Sequence, residues 1–138
     1  MIKKTVYMIL IIGLIFISIG LGKQHNLMIA RMEFAEEIED REPVGVAMSF
    51  PDTIPRVYCF TEIKGAEDSI KIHHVWHFEN MDPDTVGLMV KSSSWRTWSS
   101  KEMMSDKTGT WRVEVLAPDG KVLQTKEFNI TSTTEMEY

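Results

Sequence analysis

From residue 27 to residue 130 the chain is built of short runs in which apolar and polar positions alternate. A period of two sends successive side chains to opposite faces and predicts strands rather than helices. The clearest run is 69–79, with Ile70, Ile72, His74, Trp76 and Phe78 on one face and Lys71, His73, Val75, His77 and Glu79 on the other. Residues 110–117 set Trp111, Val113 and Val115 against Arg112 and Glu114, and 85–91 aligns Val86, Leu88 and Val90. The run 56–64 (RVYCFTEIK) is apolar on both faces, which predicts a central strand. Further strands are predicted at 27–35, 45–50, 92–101 and 122–130, the last entered through the turn Pro118-Asp119-Gly120. In 27–38 a helix through EFAEEIE competes, because Leu27, Arg31, Phe34 and Ile38 also make a helical stripe. The acidic stretch 36–42 reads as a solvated loop.

This pattern predicts an all-β fold, an Ig-like antiparallel β-sandwich of about 7–8 strands, over residues 23–130. Residues 131–138 read as a polar, frayed tail. All four tryptophans, at 76, 95, 98 and 111, fall within the strand-rich block. Trp76 and Trp111 sit on apolar faces and are expected in the core.

The first 22 residues differ from the rest. Lys3 and Lys4 precede residues 5–22, which carry no charge. As a helix this stretch reaches about 27 Å, close to the thickness of a hydrocarbon core. Two readings stay open. One is a signal peptide cut after Gly22; the other is an uncleaved transmembrane anchor with its charged end in the cytoplasm. Either places the β domain outside the cytoplasm, tethered to the cytoplasmic membrane by a single pass or released as a secreted or periplasmic protein.

Losing Lys3 and Lys4 takes the formal charge from −5 to −7. Such a balance argues against nucleic acid and against an anionic membrane surface as partners, leaving membrane contact to the N-terminal segment only. Cys59 is the chain's one cysteine, so no intramolecular disulfide can form.

Five motifs occur in order: Arg41-Glu42-Pro43-Val44, RVYCFTEIKG at 56–65, His74-x-Trp76, WRTWSSK at 95–101 and Gly109-x-Trp111-x-Val113-x-Val115. In this combination the chain resembles the bacterial domain-of-unknown-function family 2914 over about residues 28–130. The resemblance implies an envelope-associated β domain, often attached to a membrane segment, and brings no catalytic residues with it. The chain departs from the family's pattern at His77 and in the length between Trp76 and Leu88.

Candidate chemistry is sparse. His73 and His77 share a strand face but lie roughly 13 Å apart, while His74 faces the other way. Zinc needs donors far closer together, so a metal site would have to borrow Glu79 or Asp84 from elsewhere. His74, on the core face, is expected to satisfy its nitrogens with a carboxylate or a backbone carbonyl. The acidic residues Glu36, Glu37, Glu39, Asp40 and Glu42 lack calcium-loop spacing, and Asp82 with Asp84 has the same standing. No phosphate loop, nucleophile elbow or Cys/His dyad is present, and Ser99-Ser100-Lys101 lacks the partners of a Ser–Lys site.

In 95–101, Arg96 and Trp98 share one strand face and Trp95 takes the other. An aromatic ring beside a cation and hydroxyls suits a sugar or a peptide; it equally suits a cation–π pair that only packs the domain. The reading is a non-catalytic envelope domain that binds a protein partner or an envelope polymer through Trp98, Arg96, Lys101 and Tyr58. His74, Arg56 and Glu62 form structural polar contacts, the last two with Arg96 in a register-fixing network. No cofactor or metal is expected. The alternative is a metal-assisted envelope hydrolase using His73, His77 and loop carboxylates.

Overall fold

The computed structural model describes residues 26–134. The segment 1–22, read above as signal or anchor, lies outside the described residues. Nine strands make up the domain, with no α-helix among the described residues: β1 (Met28–Glu39), β2 (Glu42–Val46), β3 (Ser49–Pro51), β4 (Arg56–Lys64), β5 (Ile70–Phe78), β6 (Asp84–Val90), β7 (Ser94–Glu102), β8 (Gly109–Leu116) and β9 (Val122–Thr131). They form a four-stranded sheet in the order β2-β1-β4-β7 and a five-stranded sheet in the order β3-β9-β8-β5-β6.

The two inner faces hold the core. β4 contributes Val57, Cys59 and Ile63, and β5 contributes Ile72, Trp76 and Phe78. β8 adds Trp111, Val113 and Val115, and β9 adds Phe128 and Ile130. Phe128 is the hub: its ring centroid lies 4.5 Å from Phe34, 6.0 Å from Phe50 and 6.1 Å from both Trp76 and Trp111. The expected core tryptophans, Trp76 and Trp111, are both buried. Burial also pushes the Cys59 thiol well above its usual range, so it is a packed hydrophobe and not a nucleophile.

Three expectations need correction. The segment 45–50 divides, ending β2 at Val46 and starting β3 at Ser49, which raises the strand count from eight to nine. β3 pairs parallel to β9, since the chain leaves one sheet for the other there, so the sandwich is not wholly antiparallel. The acidic stretch 36–42 is a hairpin and not a loop. Asp40 and Arg41 both take positive φ, 48° and 62°, as a two-residue type I′ turn requires. Within the described part of the tail, Thr133 Oγ1 donates to Asp52 at 2.7 Å.

The hairpin does not continue the plane of its sheet. Arg31 and Glu42 lie 3.1 Å apart across the hairpin. An unbent ribbon would separate them by roughly 25 Å. β1 therefore doubles back near Glu36, opposite Gly45. Gly45 has φ +71°, and a Cβ there would sit 2.8 Å from Glu36 Oε2, so the bend needs glycine. Its tip comes down on the outer face of the four-stranded sheet. Phe60 points to that face and is nonetheless fully buried.

Candidate binding site under the hairpin tip

Register assembles the site. Across β1, β4 and β7 the partners Arg31, Glu62 and Arg96 stand in one row on the outer face. Phe60 pairs with Trp98 in the next row. The hairpin then places Glu42 above this row, where it takes Arg31 at 3.1 Å and Arg96 at 2.7 Å. Glu62 lies 3.8 Å from Arg31 and 4.0 Å from Arg96, and Glu33 takes Arg31 at 3.1 Å. The guanidinium of Arg31 also covers the Phe60 ring at 4.9 Å. Two arginines and three carboxylates thus tie the hairpin to the sheet.

Arg41, at the tip, does something different. Its guanidinium lies over both Trp95 (5.0 Å) and Trp98 (5.5 Å) and donates to the Arg96 carbonyl at 2.7 Å. It has no carboxylate partner among the described residues, although it is exposed. Beside it a shallow cleft of about 370 Å³ is lined by Arg41, Glu62, Ser92, Ser94, Trp95 and Arg96. The Ser92 hydroxyl donates to the Ser94 carbonyl at 2.8 Å.

The residues expected at a site fall in different places. Arg96 lines this cleft. Trp98 is half-buried, with Arg41 on its face rather than Arg96. Tyr58 is half-buried and lines a broader groove with Arg56, Glu36 and Met104. Lys101 reaches across to the neighbouring sheet and pairs with Asp84 of β6 at 2.8 Å. Arg96 and Glu62 do share a register-fixing contact, but Arg56 stands apart, bound to Ser100 at 2.7 Å and Glu102 at 2.9 Å. Sequence reasoning missed Arg41 as a site residue because it lay in the stretch taken for a loop. The one available signal was a basic residue alone within an acidic run.

A second polar arrangement lies inside the sandwich. His74 is fully buried, with Ser99 Oγ 2.7 Å from Nδ1 and Thr61 Oγ1 3.1 Å from Nε2. Thr61 gives its proton to the Thr97 carbonyl at 3.1 Å, so it accepts from His74 Nε2–H. Nδ1 then accepts from Ser99, and Ser99 accepts from Trp76 Nε1 at 3.0 Å. Every donor in the chain has an acceptor, with the imidazole neutral. Burial lowers its pKa to about 4. The partners are hydroxyls, not the carboxylate or carbonyl expected. A Ser–His contact closed inside the core has no route to substrate, so its role is to position strands.

His73 and His77 lie on the outer face of the five-stranded sheet, and His77 Nε2 contacts Glu114. Among the described residues no three His, Cys, Asp or Glu side chains converge as a metal would require.

The cleft straddles the start of a stretch that matches a family model. Residues 69–130 match the model of a family described as protein of unknown function, DUF2914. The resemblance drawn from the ordered motifs is thereby shown over this stretch, which runs from the start of β5 into β9. Ser92, Ser94, Trp95 and Arg96 belong to the DUF2914 stretch; Arg41 and Glu62 precede it. No curated protein matches the chain. Among solved structures it is similar to a β-glucosidase from Kluyveromyces marxianus, at 13% identity and a TM-score of 0.41, over 76% of this chain and 14% of that one. It is similar also to a GH3 β-glucosidase from Bifidobacterium adolescentis, at 6% identity and a TM-score of 0.41, over 75% and 17% of the two chains. The chain thus spans under a fifth of the length of either enzyme.

Proposed function

We propose that this is a non-catalytic, Ig-like binding domain of the cell envelope, which takes a protein partner or an envelope polymer. In this reading residues 1–22 form a hydrophobic helix that anchors the chain in the cytoplasmic membrane or exports it before being cut. The domain then stands outside the cytoplasm. The observation that carries the binding reading is Arg41: an exposed guanidinium held over two tryptophans at the mouth of a polar cleft, with no carboxylate paired to it among the described residues. A group built only to pin the hairpin would repeat what Glu42 already does through Arg31 and Arg96.

Affinity capture from envelope extract tests this, comparing the full chain with its Arg96→Ala and Trp98→Ala variants. A partner kept by the wild type and lost by folded variants supports the domain's role; an unchanged set of partners counts against this face.

A further inference from the structure

The chemistry of the cleft narrows what it would hold. Arg41 carries five N–H donors and spends one on the Arg96 carbonyl. The remainder make no ion pair with an acid among the described residues, and a planar fork of this kind matches a carboxylate in bidentate fashion. Its backbone is a second, independent sign. A type I′ turn favours Asn and Gly, and a left-handed conformation is unfavourable for a side chain as long as arginine. Arg41 nonetheless holds φ +62° at the tip. Strain of this sort accumulates where a side chain is needed in one place.

The other lining groups ask for hydroxyls and an apolar edge. Glu62, 15% exposed and set between Arg31 and Arg96, keeps oxygen lone pairs that accept from a hydroxyl. Ser94 is exposed and offers a donor, while the Ser92 oxygen, its proton already given to Ser94, can accept. Trp95, half-buried with Arg41 over its ring, offers the cleft an apolar edge. A neutral sugar would leave Arg41 idle, and a long polyanion would meet a domain of formal charge −7 outside residues 1–22.

Resting on the reading of this cleft as the binding site, we infer that its ligand is a carboxylate-bearing sugar. Arg41 takes the carboxylate, Glu62 and the two serines take ring hydroxyls, and the edge of Trp95 meets the apolar side of the ring.

The probes are a galacturonic acid trimer and its methyl ester, titrated calorimetrically into the full-length chain in detergent. The acid binds, and the ester binds about ten- to a hundredfold more weakly, the range expected when a charge-assisted pair is lost. Arg41→Gln weakens the acid by the same factor and leaves the ester unchanged. Arg41→Lys keeps the charge at the hairpin tip without the fork and falls between the two. Equal binding of acid and ester, or no binding of either, overturns the inference. A peptide pair with free or amidated C-terminus separates the two levels of the claim. If the free peptide binds and needs both Arg41 and Trp95, the cleft stands as a site and the sugar assignment falls. If no probe binds and envelope capture is also indifferent to Arg96 and Trp98, the binding reading falls with it.

Discussion

The buried histidine makes the most demanding energetic prediction. His74 is neutral in the fold, with its pKa lowered from 6.5 to about 4 by burial. In the unfolded chain it returns to its ordinary value. Between those two values the unfolded imidazole holds a proton that the folded one does not, so acid favours unfolding. The stabilisation is therefore complete above about pH 6.5 and is lost as pH falls toward 4. One pKa unit corresponds to about 1.4 kcal/mol, so the whole shift is worth about 3 kcal/mol, and most of it is gone by pH 4.5. Hydrogen bonding works in the same direction. A second ring proton would point at Ser99, whose own proton would then need a new acceptor inside an apolar core. Urea unfolding at a series of pH values between 4.5 and 7.5 measures the loss, with His74→Gln as the control for every other titrating group. The wild type should lose about 2–3 kcal/mol more than the variant across that range. Equal losses, or an imidazole resonance that titrates near 6.5 in the folded chain, would refute the reasoning.

Other perturbations follow from the packing. Phe128→Ala empties the hub of the aromatic cluster and should lower unfolding free energy by about 3–5 kcal/mol in denaturant titration. Gly45→Ala places a Cβ at positive φ against Glu36 and should destabilise by about 1–2 kcal/mol, with amide exchange rising across 36–46 ahead of the rest. Arg56→Ala removes an exposed pair with Glu102 and should change stability by no more than about 1 kcal/mol, since pairs of this kind contribute little.

Much of the fold was readable because burial on one face enforces alternation. β4 matches its predicted limits, and β5, β6, β8 and β9 each begin or end within a residue or so of theirs. The fold-back of the β1–β2 hairpin was not readable, because its residues face neither a core nor a neighbour in the expected plane. Glu36, Glu37 and Glu39 are exposed, so no period marks them as strand. The bend depends on Gly45, which in sequence is one small residue among several. The candidate site shares this origin. Arg96 and Glu62 belong to strands whose register the alternation predicts, whereas Arg41 and Glu42 reach them only through the bend. Trp98 shows the same gap. Its strand face was assigned correctly, but the cation above it comes from 57 residues away in sequence and not from its neighbour Arg96. Lys101, grouped in the sequence reading with Trp98 and Arg96, instead pairs with Asp84 of the other sheet.

The central claim is that this protein meets its ligand under the hairpin tip. Hydrogen–deuterium exchange of the full-length chain, with and without envelope extract, tests it residue by residue. The account predicts slowed exchange at 39–42 and 92–98, with the outer face of β8 and β9 unchanged. Protection confined to β8 and β9, or no protection anywhere, would contradict it.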